Sequence, residues 1–299
     1  MHSFHLTRRQ VQLLIVVTLV WGANWPVMKF AVGHYPPISF RTFCMILGMV
    51  AMWVIAAASR ISLRVPRDKI PLVMMLALPN MVGWHLFCIV GVSQLSSGRA
   101  AILGYTMPVW AVLAGLFWGN KVNARGWVGL ALAMLAALLL LSSEFSAIAG
   151  RPQGVLIMCT AAALWGLGTV LIRRYPTGLH PLALTHAMLL PTIVCMAVAA
   201  LILEGTSHGL PSGFQQWWPI FYNAIGVFAF CQVAWFSLAS SLPPIASSLS
   251  VMMIPVVGVF GGSLWLGEVP HWQDFTALAL IITAMSVVLI PSRTFKKGV

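Results

Sequence analysis

The amino-acid sequence predicts an all-α integral membrane protein of ten transmembrane helices, built as two inverted repeats of five. Three observations lead there. Sixty per cent of its 299 residues are apolar and only 7% are charged, against about 25% charged in a soluble domain. A water-soluble fold could not cover its surface with so few. Apolar runs of spanning length recur along the whole chain. One phrase is also written twice: "LVWGANWPVMKF" begins at Leu19 and "ALWGLGTVLIRR" at Ala163, so that Trp21-Gly22 and Trp165-Gly166 stand 144 positions apart.

A spanning helix takes about 20 mostly apolar residues. Ten segments meet that requirement: 11–32, 39–58, 70–92, 97–118, 126–142, 154–172, 180–203, 217–239, 244–266 and 272–290. The first follows "MHSFHLTRRQ", whose paired arginines resemble the start of a signal peptide. The run lacks an A-x-A-like cleavage site and is long enough to span, so it reads as the first transmembrane helix. The longest connections are 59–69, 142–153 and 204–216, and none has room for a soluble domain. Cys44, Cys88, Cys159, Cys195 and Cys231 all lie in apolar runs, with no CxxC or Cys/His spacing. They read as small buried apolar residues, and no metal or other cofactor is expected.

The net charge of +12 could suggest nucleic acid, but that needs a basic face on a soluble module. Membrane topology explains it better, because Lys and Arg accumulate in cytoplasmic loops. With the N-terminus inside, the inner ends of the spans hold Arg8, Arg9, Arg60, Arg64, Arg67, Lys69, Lys121, Arg125, Arg173, Arg174, Arg293, Lys296 and Lys297, which is 13 of the 17 basic residues. The outer ends hold Lys29, Arg41, Arg99 and Arg151, together with Glu144, Glu204, Glu268 and Asp274. Both termini are expected to be cytoplasmic.

The repeat continues past the opening phrase. At an offset of 144, Trp21, Gly22, Lys29 and Pro37 meet Trp165, Gly166, Arg173 and Pro181. At 147, Pro108, Gly115, Trp118 and Val122 meet Pro255, Gly262, Trp265 and Val269. Five spans per half is an odd number, so the second half (148–299) enters the membrane opposite to the first (1–147). Inverted repeats of this kind are characteristic of transporters whose halves rock about a site near the midplane. Lys29 and Arg173 then lie on opposite sides, where both can snorkel to the interface.

"LVWGANWPVMKFAVGHYPPISFR" resembles the first two helices of the drug/metabolite transporter superfamily, EamA-like branch, through Trp21, Gly22, Asn24, Lys29, Pro36, Pro37 and Arg41. "TMPVWAVLAGLFWGN" and "MIPVVGVFGGSLWLGE" resemble that family's helices four and nine. Gly267-Glu268 keeps a Gly-Glu pair common in the family after helix nine, whereas the first half has Gly119-Asn120. The resemblance covers nearly the whole chain. It implies ten helices, export or exchange of small metabolites, and a bacterial inner-membrane location. The aromatic mid-chain residues look most like exporters of amino acids, aromatic ones included.

Polar groups at membrane depth face a cavity or a partner. Mid-span candidates are therefore Asn24, His85, Tyr105, Gln232 and Ser248, with Trp84, Trp165 and Trp235 as flat walls for an apolar side chain. His85 and Gln232 are matched at the offset of 147. Together these residues are expected to line a central cavity and hold a small-molecule substrate. The alternative for each is an interhelical hydrogen bond or packing; for His85 the two readings weigh about evenly, and for a single Ser or Trp packing is favoured. Pro26, Pro108 and Pro255, with Gly115 and Gly262, are candidate hinges, because proline kinks a helix and glycine allows close approach. The expected surroundings are the lipid bilayer, with the chain working as a monomer and no nucleic acid. A phosphate-sugar or nucleotide-sugar carrier is the alternative within transport. An intramembrane enzyme is less favoured, because no acid lies deep in any span.

Overall fold

The computed structural model describes residues 7–119, 121–146, 150–232, 234 and 244–289. Among them there are long helices and no strand. α1 is Arg8–Val32 and α2 is Pro37–Ala58. α3 (Arg67–Gln94) and α4 (Ser97–Leu116) follow. α5 is Ala124–Ser146, α6 Pro152–Arg174 and α7 Pro181–Leu203. α8 covers 214–231, α9 is Pro244–Leu266 and α10 is Trp272–Leu289. A helix occupies each segment the sequence marks out; part of the expected 217–239 span lies outside the described residues.

Local chemistry sets the ends. α1 opens on a capping box, in which Thr7 Oγ1 accepts from the Gln10 amide at 3.2 Å and Gln10 Oε1 accepts from the Thr7 amide at 2.9 Å. Proline stands in the first turn of α2, α6 and α7, where its missing N–H costs no intrahelical bond. α1 to α7 are each long and apolar enough to cross a membrane. Their outward faces carry Ile15, Trp53, Leu138, Leu190 and Ile202 in exposed positions. Only lipid would cover so much apolar surface; this is a multi-pass membrane protein.

The packing partners repeat with the halves. α1 packs on α9, and its counterpart α6 packs on α4. α2 packs on α8, and α7 packs on α3. α6 also packs on α3, as its counterpart α1 packs on α8, and α2 with α7, α4 with α9 and α5 with α10 join counterparts directly. Exchanging the two halves leaves this set of pairs unchanged.

The same helices break regular α-geometry in both halves. α3 contains a π-helical segment at Leu78–Gly83, and α8 contains one at Tyr222–Cys231. Advancing the first by 147 places it inside the second. Single-turn π-bulges cluster at functional sites. α4 and α9 differ. α4 is interrupted at Tyr105-Thr106, just before Pro108, whereas α9 runs unbroken through Pro255.

Candidate functional site

The repeated Trp-Gly phrase has a contact reason. Gly22 on α1 lies so close to α9 that an added Cβ would overlap Val257, with the Ile254 carbonyl oxygen at 3.2 Å. Gly166 on α6 lies so close to α4 that a Cβ would stand 2.8 Å from Trp110 Cβ and 2.9 Å from the Met107 carbonyl oxygen. Val257 and Ile254 are the residues that match Trp110 and Met107 at the offset of 147. Each glycine thus seats its helix against the proline-bearing segment of the other half. The preceding positions agree: Val20 faces Gly226 and Leu164 faces Gly83, both glycines lying in the π segments.

These seats draw an aromatic group together. Trp84 of α3 and Trp165 of α6 have ring centroids 5.2 Å apart. Trp25 of α1 meets Tyr105 of α4 edge-on at 6.2 Å. Gly104 joins the pairs, since its Cβ would stand 2.7 Å from Trp25 Cη2 and 3.6 Å from Trp84 Cη2. Trp25, Trp84 and Tyr105 are buried and Trp165 is half-buried.

A polar group adjoins these rings. Arg41 is buried at 4% exposure, although it lies only one turn into α2. Its Nε donates to His85 Nδ1 at 3.2 Å and its Nη2 lies 2.9 Å from the same atom. Nη1 donates to Asn223 Oδ1 at 2.8 Å and reaches Met28 Sδ at 3.8 Å. The guanidinium carbon lies 5.0 Å from the centre of the Phe228 ring, within reach of a cation–π contact. The chain's five acids (Asp68, Glu144, Glu204, Glu268 and Asp274) are all described, and Arg41 pairs with none of them. One turn before Met28, the buried Asn24 has an Oδ1 with no hydrogen-bond partner among the described residues.

The end of the bundle near the α1–α2 connection is stitched across the halves. Glu204, just after α7, accepts from the Ile38 and Ser39 amides and from Ser39 Oγ at the start of α2, at 2.7–2.9 Å. Glu268, just after α9, accepts from the Ser97 amide and Oγ at the start of α4, at 2.7 and 2.8 Å. Carboxylates here satisfy orphan amides and complement the helix dipole. Arg99 joins Glu144 to Asp274. Lys29 donates to the Val92 and Ser93 carbonyls in the last turn of α3, at 3.2 and 3.1 Å, while its counterpart Arg173 is exposed. Burial, with Glu204 adding to it, holds the Tyr35 hydroxyl above its ordinary pKa. A cavity of about 640 Å³, with Arg99, Glu144 and His271 in its wall, lies at this end. A second, of about 290 Å³, lies beside Gly115 and Lys121. Arg41 and His85 line neither.

Of the residues marked from sequence, the structure sets Trp84 against Trp165, Tyr105 against Trp25 and His85 against Arg41, and buries Asn24 one turn before Met28 on α1. Gln232 is half-buried one turn beyond Phe228, with no ring contact or hydrogen bond to the group among the described residues. Trp235 lies outside the described residues. Ser248 is on α9, with its side chain outside them. Pro26 lies on the α1–α9 contact, against Gly261. Gly262 leaves room for Ser97 and Glu268, both of which an added Cβ would strike. Sequence reasoning placed Arg41 among the outer-end charges and passed over Asn223. The available signal was an arginine inside the apolar run "PISFRTFCMIL".

Comparison with known proteins decides the family. The model of the EamA-like transporter family matches twice, over residues 9–142 and again over 152–290. The chain belongs to the EamA-like transporter family. Its relatives include the "Uncharacterized transporter YoaV" of Bacillus subtilis, 25% identical over 85% of this chain and 88% of that one. The "Probable amino-acid metabolite efflux pump" of Escherichia coli is 24% identical over 94% of this chain and 95% of that one. A solved structure, "Crystal structure of protein", superposes with a TM-score of 0.68 over 97% of this chain and 99% of that one, at 17% identity. That likeness establishes the fold alone. The protein is a membrane transporter.

Proposed function

We propose that this EamA-like transporter moves small metabolites, above all neutral and aromatic amino acids, out of the cell by alternating access about the Trp84–Trp165–Tyr105–His85 centre. The observation that carries this reading is the pair of matched glycine seats, Gly22 on Val257 and Gly166 on Trp110. They hold the aromatic and polar groups on surfaces where one half meets the other. The double family match supports a division into 1–147 and 148–299, and the exchangeable helix pairs support a two-fold relation between those units. With five helices each, that axis lies in the membrane plane and the second unit is inverted. The basic bias supports an inner membrane with both termini in the cytoplasm. The chain is read as a monomeric carrier without catalytic activity. Amino acids are the favoured class because flat aromatic walls beside hydrogen-bonding groups suit a small solute with a polar head and an apolar tail. The E. coli relative's printed description points the same way. The test is counterflow of radiolabelled phenylalanine in proteoliposomes. Flux that saturates and is inhibited by unlabelled tryptophan is expected. No flux of any amino acid, with saturable flux of a sugar phosphate, would overturn the reading in favour of a phosphate-sugar carrier.

A further inference from the structure

We propose that Arg41 and Asn24 are the two poles of a site for zwitterions: the Arg41 guanidinium takes the substrate carboxylate, and Asn24 Oδ1 takes the ammonium. This rests on reading the central cluster as the substrate site, and it adds which charged groups a substrate must carry.

A guanidinium keeps its charge in proteins and offers five N–H donors in a fixed fork suited to a carboxylate. Arg41 carries that charge into the interior, where its partners are His85, Asn223, Met28 and the Phe228 face, all electrically neutral acceptors if the His85 ring takes the bond at Nδ1. Buried charges are ordinarily paired with an opposite charge, because desolvating an ion costs several kcal/mol. Arg99 shows the ordinary solution in this same molecule, with Glu144 and Asp274 on its two sides. The missing countercharge at Arg41 is what a substrate carboxylate supplies.

The second pole is an independent observation. Asn24 is 7% exposed, and its Oδ1 is the one buried side-chain N or O atom without a partner among the described residues. A lone acceptor invites a donor, and an ammonium is donor-only. Asn24 and Met28 are four apart on α1, so they share a face about one turn, or 5.4 Å, apart. Met28 touches Arg41 Nη1, so the guanidinium lies against the turn of α1 that follows Asn24. A carboxylate and an ammonium on one carbon can bridge such a gap with a hydrogen bond of about 2.8 Å at each end. Trp25, between the two positions in sequence, carries the aromatic group toward Tyr105, which leaves a flat surface for the side chain.

The test measures ligand-induced thermal stabilisation of the purified full-length protein with three probes of one skeleton: phenylalanine, phenethylamine (no carboxylate) and 3-phenylpropionate (no ammonium). Phenylalanine should bind at least tenfold more tightly than either of the others. Arg41→Gln should lose at least tenfold for phenylalanine and 3-phenylpropionate while leaving phenethylamine unchanged. Asn24→Ala should weaken phenylalanine and phenethylamine and spare 3-phenylpropionate. If Arg41→Gln does not fold, the three-probe series on the unaltered protein still decides. Equal affinity for all three probes, or losses that ignore which charge is missing, would overturn the two-pole assignment even where phenylalanine flux in proteoliposomes persists. Absence of flux of any amino acid, with saturable flux of a sugar phosphate, would instead overturn the amino-acid reading on which the poles rest.

Discussion

Gly166→Ala adds one methyl group at the α6–α4 seat, and its cost follows from the contacts there. The new Cβ would lie 2.6 Å from the Ala111 backbone nitrogen, where ordinary contact begins at 3.4 Å. The helices would have to separate locally by the difference, 3.4 − 2.6 = 0.8 Å. Trp110 Cβ and the Met107 carbonyl obstruct the same volume, and two of these three neighbours are backbone atoms that no rotamer change can move aside. Overpacking of this kind costs about 1–3 kcal/mol, offset by about 1 kcal/mol of helix propensity gained on leaving glycine. Gly226→Ala is the control: its Cβ would meet only Val20 Cγ1, at 3.4 Å. Thermal unfolding in detergent should therefore show a clear drop for Gly166→Ala and a neutral or raised midpoint for Gly226→Ala. Phenylalanine counterflow at matched expression should fall with the first substitution alone. A Gly166→Ala protein as stable and active as its parent would refute the argument that the repeated phrase exists to seat helices.

His85→Ala should reduce transport more than His186→Ala at equal expression, because His85 orients Arg41 whereas His186 is half-buried on α7; equal losses would reverse that assignment. Glu268→Gln replaces an acceptor facing Ser97 with a donor and should lower stability by about 1–2 kcal/mol, read as a drop in unfolding midpoint; an unchanged midpoint would remove the cap from the reasoning. A cysteine in the 59–69 connection should be labelled only from the cytoplasmic side, and labelling only from outside would invert the topology. Flux in proteoliposomes should proceed without an imposed pH gradient, since the acids lie at helix ends and connections; accumulation that needs the gradient and collapses with an uncoupler would defeat this.

The helices were legible because lipid imposes a simple rule: every backbone group is bonded within the span, and the span has a fixed length. Arg8–Val32 and Pro37–Ala58 differ from the expected 11–32 and 39–58 only at their ends. The π segments were not legible. Pro79 marks one of them, but a proline in an apolar run is equally compatible with a simple kink. The site was read in part. His85 and Asn24 stood out as polar residues at depth, and the tryptophans by type. Arg41 is counted among the outer-end charges, because charge counting treats a residue near a helix end as a loop residue. Its inward direction depends on α8, which brings Asn223 and Phe228 beside it from 182 and 187 positions away. Nothing local in the sequence records that approach.

The carboxylates that stitch one end have a kinetic consequence. Glu204 and Glu268 hold the starts of α2 and α4, but Arg60, the position that matches Glu204 at the offset of 144, cannot accept from a helix amide. If the halves alternate as proposed, that difference would give the two states unequal resting populations. A bias of about 1.4 kcal/mol shifts the balance tenfold, and the apparent affinity on the disfavoured side is reduced by the fraction of molecules open to it. With the stitched end outside, solute in the cytoplasm meets a mostly available carrier, and solute outside meets a mostly unavailable one. For passive flux the ratio of maximal rate to half-saturation must still be equal from both sides. The asymmetry would then appear as a lower maximal rate from without, with a proportionately lower half-saturation, because each cycle of influx must end with the free carrier's slow return to its disfavoured state.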